Sequence, residues 1–169
     1  KITYQKMKID KIQALRGPNI WSVQRKKLIQ MRLDLEEMEQ FPTNKIDGFR
    51  ERIEAMFPTM IEHRCSEGCR GGFFSRIDKG TWMGHVIEHI ALEIQTLAGM
   101  ETGFGRTRET KTPGIYNVVF SYTEENVGLF AAESAVAIAE ALIAGTPYDV
   151  EADIQKMRVI RDRVRLGPS

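Results

Sequence analysis

Ile29-Gln30-Met31-Arg32-Leu33-Asp34-Leu35 is the stretch that decides the fold class. Ile29, Met31, Leu33 and Leu35 alternate with Gln30, Arg32 and Asp34, so a strand here puts its apolar side chains on one face and its polar ones on the other. A strand of that kind fits a sheet with one packed face and one solvated face, which is the habit of antiparallel sheets. Working outward, Lys8 to Leu15 predicts a strand closed by the turn Arg16-Gly17-Pro18-Asn19. Ile115 to Tyr122, rich in β-branched and aromatic residues, predicts the strongest strand of the chain. Between and after these strands the period changes. Phe49, Ile53, Met56, Phe57, Met60 and Ile61 recur at helical spacing, divided by Pro58. A long helix is predicted from Trp82 to Ala98, stopped by Gly99. Thr123 is the expected N-cap of an Ala-rich helix reaching Ala144 and Gly145, with Glu124 and Glu125 in its first turn. Asp149 caps a last helix with Val150, Ile154, Met157, Ile160 and Val164 on one face. Pro42 to Gly48, Cys65 to Gly72 and Glu101 to Gly114 read as connectors and loops. The expected class is α+β: a small, mostly antiparallel sheet of about three or more strands, covered by four or five helices.

At 169 residues and 19.3 kDa the chain suits a single domain, expected over residues 1–169. Lys and Arg total 24 against 23 Asp and Glu, and that near-balance argues against a nucleic-acid binder. No apolar run of the roughly 20 residues needed for a membrane span stands out, and the polar start Lys1 to Lys11 has no signal-peptide core. Two cysteines, Cys65 and Cys69, are too few for a disulfide scaffold and fit a reducing cytoplasm. A first residue of Lys rather than Met suggests a piece of a longer protein.

Two of the three histidines fall in one window, His85-Val86-Ile87-Glu88-His89. On a helix, positions i and i+4 point the same way, so His85 and His89 can grip one ion from a single face. Glu88 lies close to the same edge, placed to take a proton from water. The pattern H-x-x-E-H is the inverzincin arrangement, and zinc is the expected metal. At about 100° per residue, Val86, Ile87, Ile90, Ile94, Leu97 and Ala98 form the apolar face. His85, His89, Leu92 and Thr96 lie nearly opposite and should meet solvent, a cleft or a covering loop. The plainer alternative is a set of ordinary polar residues on an amphipathic helix. A catalytic site also needs a third protein ligand. Glu125 is the expected one, with Glu133, Glu140 and Glu109 as alternatives, while Glu93 stands too far along the axis.

His63, Cys65 and Cys69 lie close together and with a further His could make a structural zinc site, but they match the usual zinc-knuckle spacing poorly, so reduced loop cysteines are expected. Gly103-Phe104-Gly105-Arg106-Thr107-Arg108 has only two of a dinucleotide fingerprint's glycines and follows a helix, so no cofactor site is expected there. Arg106, Arg108 and Lys111 form either a solvated charged turn or a clamp for carboxylates. The clusters Arg25-Lys26-Lys27 and Arg158 to Arg165 read as solvated faces.

Several stretches together resemble the N-terminal domain of cyanophycin synthetases. They are Met7-Lys8-Ile9 through Leu15-Arg16-Gly17-Pro18-Asn19-Ile20-Trp21-Ser22, Arg25-Lys26-Lys27-Leu28 and Met31-Arg32-Leu33-Asp34-Leu35. His63 with Cys65-Ser66-x-Gly68, Gly71-Gly72-Phe73, Gly84-His85-x-x-Glu88-His89 and Gly103 to Thr110 continue the likeness. Leu166-Gly167-Pro168-Ser169 resembles the passage from that domain into an ATP-grasp domain. The resemblance implies a cytoplasmic bacterial ligase that makes multi-arginyl-poly-aspartate from Asp and Arg. Its ATP- and Mg-dependent sites would lie in ATP-grasp and Mur-ligase-like domains absent from this chain. It implies that the N-terminal domain holds the growing polymer, and that in some members it cuts the polymer into primers. Carried over by motif, that cutting site falls on His85, Glu88 and His89, with Glu88 as general base. Arg106, Arg108 and Glu109 are the expected polymer contacts. The full-length enzyme is expected to be a homo-oligomer, and neither nucleic acid nor membrane is an expected partner. The opposing expectation is a purely structural domain that supplies oligomer contacts.

Overall fold

The computed structural model describes residues 6–21 and 27–167. Arg25 and Lys26 of the basic cluster, and Pro168 and Ser169 at the end of the last resembling stretch, lie outside the described residues. Four strands, β1 (Lys8–Leu15), β2 (Leu28–Asp34), β3 (Gly105–Glu109) and β4 (Ile115–Ser121), form an antiparallel sheet in the order β1-β2-β4-β3. Along β2 the alternation takes physical form. Ile29, Met31 and Leu33 are fully buried, while Arg32 is exposed.

Among the described residues five α-helices join the strands: α1 (Phe49–Met56), α2 (Gly72–Lys79), α3 (Met83–Leu97), α4 (Glu125–Ala144) and α5 (Val150–Leu166). Helix α3 lies against β3 and β4, α4 against β1 and β2, and the two helices pack on each other. The core they enclose runs continuously from the sheet through Phe49, Phe57 and Phe73 to Ile138 and Met157. The α+β class is thus realised.

Close approach of α3 to the sheet depends on Gly84. A Cβ there would sit 3.1 Å from both Thr107 and the Tyr116 ring. The face of α3 bearing His85 and His89 is covered too, by the segment from Pro58 to Phe73. His89 and Glu93 are buried under that segment, and Glu88 and Gln95 are buried against β3 and β4.

Three local readings change. The expected loop from Glu101 to Gly114 contains β3, a strand dictated by pairing with β4 rather than by its own Gly- and Arg-rich sequence. Helix α2 begins inside the glycine-rich stretch, where Gly71 takes the N-cap position at φ +83°. Glu124, not Thr123, caps α4, its side chain accepting from the Val127 N–H at 2.8 Å. The other termini match their signals: Gly145 ends α4 in the left-handed conformation, and Asp149 accepts from the Ala152 N–H to start α5. Helix α4, at 20 residues, does have the length and apolarity of a membrane span, contrary to the sequence expectation. Two-thirds of it is buried within the protein (67%), as befits a core helix.

Candidate metal centre and cleft

Helix α3 delivers His85, Glu88 and His89 to one edge, as the i, i+3, i+4 spacing requires. What completes the site comes from the covering segment. Cys65 Sγ lies 3.1 Å from His85 Nε2. One ligand atom each from Cys65, His85 and His89 falls within 4.8 Å of the others. A thiolate with two imidazoles is a donor set suited to zinc, which accepts Cys and His in a tetrahedral shell and leaves a fourth position open in catalytic sites.

Cys65 reaches this place through an uncommon backbone conformation, φ +56°. The loop around it is held on both sides. Phe73 N–H donates to the His63 carbonyl at 3.1 Å, and Gly71 N–H to that of Ile61 at 2.7 Å. Gly72 allows the loop to sit on the start of α2, for a Cβ there would lie 2.0 Å from the Arg64 carbonyl oxygen. Phe73 in turn stacks on the His89 ring at 4.3 Å between centroids.

A hydrogen-bond chain ties His89 to Glu93 through His63. His63 Nε2 is 2.6 Å from Glu93 Oε2, and His63 Nδ1 is 2.8 Å from His89 Nδ1. Thr59 donates to the other Glu93 oxygen at 2.5 Å. Burial pushes Glu93 upward, but the hydrogen bonds from His63 and Thr59 outweigh it and hold the carboxyl below its ordinary range. An ionised Glu93 only accepts, so His63 donates from Nε2. Its other nitrogen, Nδ1, shares a hydrogen bond with His89 Nδ1, so the two rings are held as a pair. His89 Nε2 lies on the far side of the ring, 3.7 Å from Glu88 Oε2. His85 is held at both nitrogens, Nδ1 at 3.0 Å from Thr81 Oγ1 and Nε2 toward Cys65 Sγ. Partners of this sort orient metal-binding imidazoles.

Burial also shapes the charges. The His85 pKa is lowered to about 4 by loss of solvent, with a smaller contribution from Arg76. His89 is pushed well down by burial and by its two neighbouring histidines. Both rings are therefore neutral at pH 7, the state in which imidazole binds a metal. Glu88 is raised to about 7 by burial, partly offset by the hydrogen bond from Thr107 Oγ1 at 2.7 Å. A carboxyl poised near the working pH is suited to moving protons.

These groups line a cleft of about 590 Å³, with His63, Cys65, His85, Glu88 and His89 on one side and Gly103, Gly105, Arg106 and Thr107 on the other. Arg106 stands at its rim, its guanidinium 5.9 Å from the centre of the Phe104 ring. Arg108 and Glu109 are not among the lining residues. Arg108 is exposed on β3 opposite Asn117, in a row that continues to Arg32 and Lys11, and Glu109 accepts from the Gly114 N–H at the β3–β4 turn.

Glu125 is not brought to the histidines. It lies at the start of α4, where it accepts two hydrogen bonds from Arg16, and the group that could hold an ion is Cys65, His85 and His89. Of the other acids weighed, Glu140 accepts from the Met7 N–H. Glu93 is not in that group and contacts His89 only through His63. Nothing in the spacing of Cys65, 20 residues before His85, announces this role. The nearest signal is the adjacent His63.

The chain matches the family described as the cyanophycin synthase-like N-terminal domain over residues 30–144. The cyanophycin synthetase of Geminocystis herdmanii is 52% identical over 166 residues, and that of Synechocystis sp. is 51% identical over the same length; each match covers 96% of this chain. The cyanophycin synthetase of Trichormus variabilis is 50% identical, again over 96% of the chain. The chain spans only 19% of the length of the first two relatives.

Proposed function

The chain belongs to the cyanophycin synthase-like N-terminal domain family, and from that membership we propose that it works as one folded unit of a larger cyanophycin synthetase, binding the polymer product and hydrolysing it at the α3 cleft. Ligation of Asp and Arg with ATP and Mg²⁺ belongs, in this reading, to the remaining domains of that enzyme. The observation that carries the hydrolytic part is the meeting of Cys65, His85 and His89 within 4.8 Å, beside a buried Glu88 in an open cleft. A structural or oligomerisation domain has no need of a neutral histidine pair facing a thiol, or of a carboxyl held near neutrality.

Cys65, His85 and His89 are the residues that would hold zinc. When bound, zinc supplies Lewis acidity toward an amide carbonyl and toward water. The chain's own groups do the rest. Glu88, steadied by Thr107, takes a proton from the attacking water and returns it to the departing amine. His63 and Glu93 hold the His89 ring in its orientation. Arg106 at the rim meets carboxylates of the polymer, and Arg108 and Glu109 continue the charged strip along β3 for a chain that carries both signs. Loop residues from Glu62 to Cys65 close the opposite side.

The test is release of shorter chains from purified polymer by zinc-supplemented protein, with Glu88→Gln alongside. The reading requires cleavage by the wild type and a loss of at least about a hundredfold in the variant, with polymer binding kept. Absence of cleavage by the wild type, or equal cleavage by Glu88→Gln, contradicts it.

A further inference from the structure

Strand β3 ends the sheet on the side of the cleft, and its register tells which backbone groups face outward. Ser121 N–H donates to the Phe104 carbonyl at 2.8 Å, and Thr110 N–H to that of Ile115 at 2.8 Å. Between these, Arg106 pairs with Val119 and Arg108 with Asn117. Antiparallel bonding alternates, so Arg106 and Arg108 bond to β4, while Gly105, Thr107 and Glu109 turn their N–H and C=O groups away from it. Two of those three also touch the candidate base. The Thr107 hydroxyl donates to Glu88, and a Cβ on Gly105 would lie 2.6 Å from Glu88 Oε2.

Building on the hydrolase reading above, we propose that the outward edge of β3 is the substrate-binding strand of the cleft, and that an extended aspartate–arginine polymer chain adds to it as a fifth strand, hydrogen-bonding to Gly105, Thr107 and Glu109. Addition of a strand supplies affinity through the main chain and sets the depth at which a backbone amide passes Glu88. Three features favour this occupant. The edge is short and carries Arg106, Arg108 and Glu109, a composition that discourages pairing with indiscriminate apolar strands but suits a chain bearing both carboxylates and guanidinium groups. The opposite rim also offers both signs, in Glu62 and Arg64. A second hollow, formed by Lys27, Phe104 and Tyr122 among others, shares Thr96, Thr102 and Gly103 with the cleft, so the trough continues past the start of β3 as a long chain needs.

The experiment is residue-resolved amide hydrogen exchange by NMR on the Glu88→Gln chain, with and without a short soluble aspartate–arginine polymer. The variant keeps the probe intact. Addition of the polymer should slow the Gly105, Thr107 and Glu109 amides by at least about tenfold and leave the Arg106 and Arg108 amides, already bonded to β4, little changed. Resonance shifts elsewhere without that alternating protection would overturn the edge-strand proposal and leave the hydrolase reading standing. If saturating polymer shifts no resonance at all, both fall.

Discussion

Glu88 is a carboxyl group with only 5% of its surface exposed, and burial lifts its pKa from 4.5 to about 7. The sign of the consequence follows directly. The folded state holds the proton more tightly than the unfolded chain, so this group's contribution is complete below about pH 4.5 and is lost as the pH rises to about 7. In protein stripped of metal, Glu88→Gln should therefore gain stability relative to the wild type across that window, by an amount on the order of 3 kcal/mol. Denaturant unfolding of both proteins at pH 4.5 and pH 8 checks this, and a constant difference would refute it. A second expectation concerns Glu93, which reaches the site only through His63. Glu93→Gln should weaken zinc binding about 10- to 100-fold, read by competition with a chromophoric chelator, while preserving the fold. At this scale the sequence was half legible. His85, Glu88 and His89 could be read because helix geometry alone gathers them. Cys65, His63 and Glu93 could not, because their meeting depends on how a loop folds over α3.

Among the elements, the loop that carries Cys65 is the one most exposed to a single change. Gly72→Ala puts a Cβ 2.0 Å from a backbone carbonyl, which cannot move as a flexible side chain would. We expect a loss of about 1–3 kcal/mol in stability, together with weaker zinc binding because Cys65 shifts. Gly17→Ala, where nothing lies within 4 Å, is the control and should stay within about 0.5 kcal/mol of the wild type. Thermal unfolding of the three proteins decides the matter. The same contrast explains which elements the sequence displays. Strand β2 shows itself by alternation because one of its faces is buried, and α4 by its Ala-rich stretch and the glycine that ends it. Strand β3 shows nothing of the kind. Its inner face meets a helix through Gly105 and Thr107, and its outer residues are Arg106 and Arg108, so only β4 makes it a strand. Helix α2 is hidden for a related reason: glycines that read as a loop serve as its N-cap and first residue.

For the molecule as a whole, charge is balanced in sum but placed unevenly, and its placement separates the two arginines of β3. Both lie on the outer face of the strand, but Arg106 also lines the cleft, whereas Arg108 sits in the row with Asn117, Arg32 and Lys11 away from it. Arg106→Ala should weaken polymer binding about three- to tenfold, and Arg108→Ala should do so less, as titration of Glu88→Gln-background proteins with soluble polymer would show. Raised salt should narrow the gap, since both groups meet solvent. Above all these details stands the union of one loop thiol with two helix imidazoles. Its most direct test is metal content by elemental mass spectrometry after zinc loading and desalting, for the wild type, Cys65→Ser and His85→Ala. About one zinc per wild-type chain, lost in both variants, is the predicted result. No zinc in the wild type, or zinc kept at full occupancy by Cys65→Ser, would contradict the account.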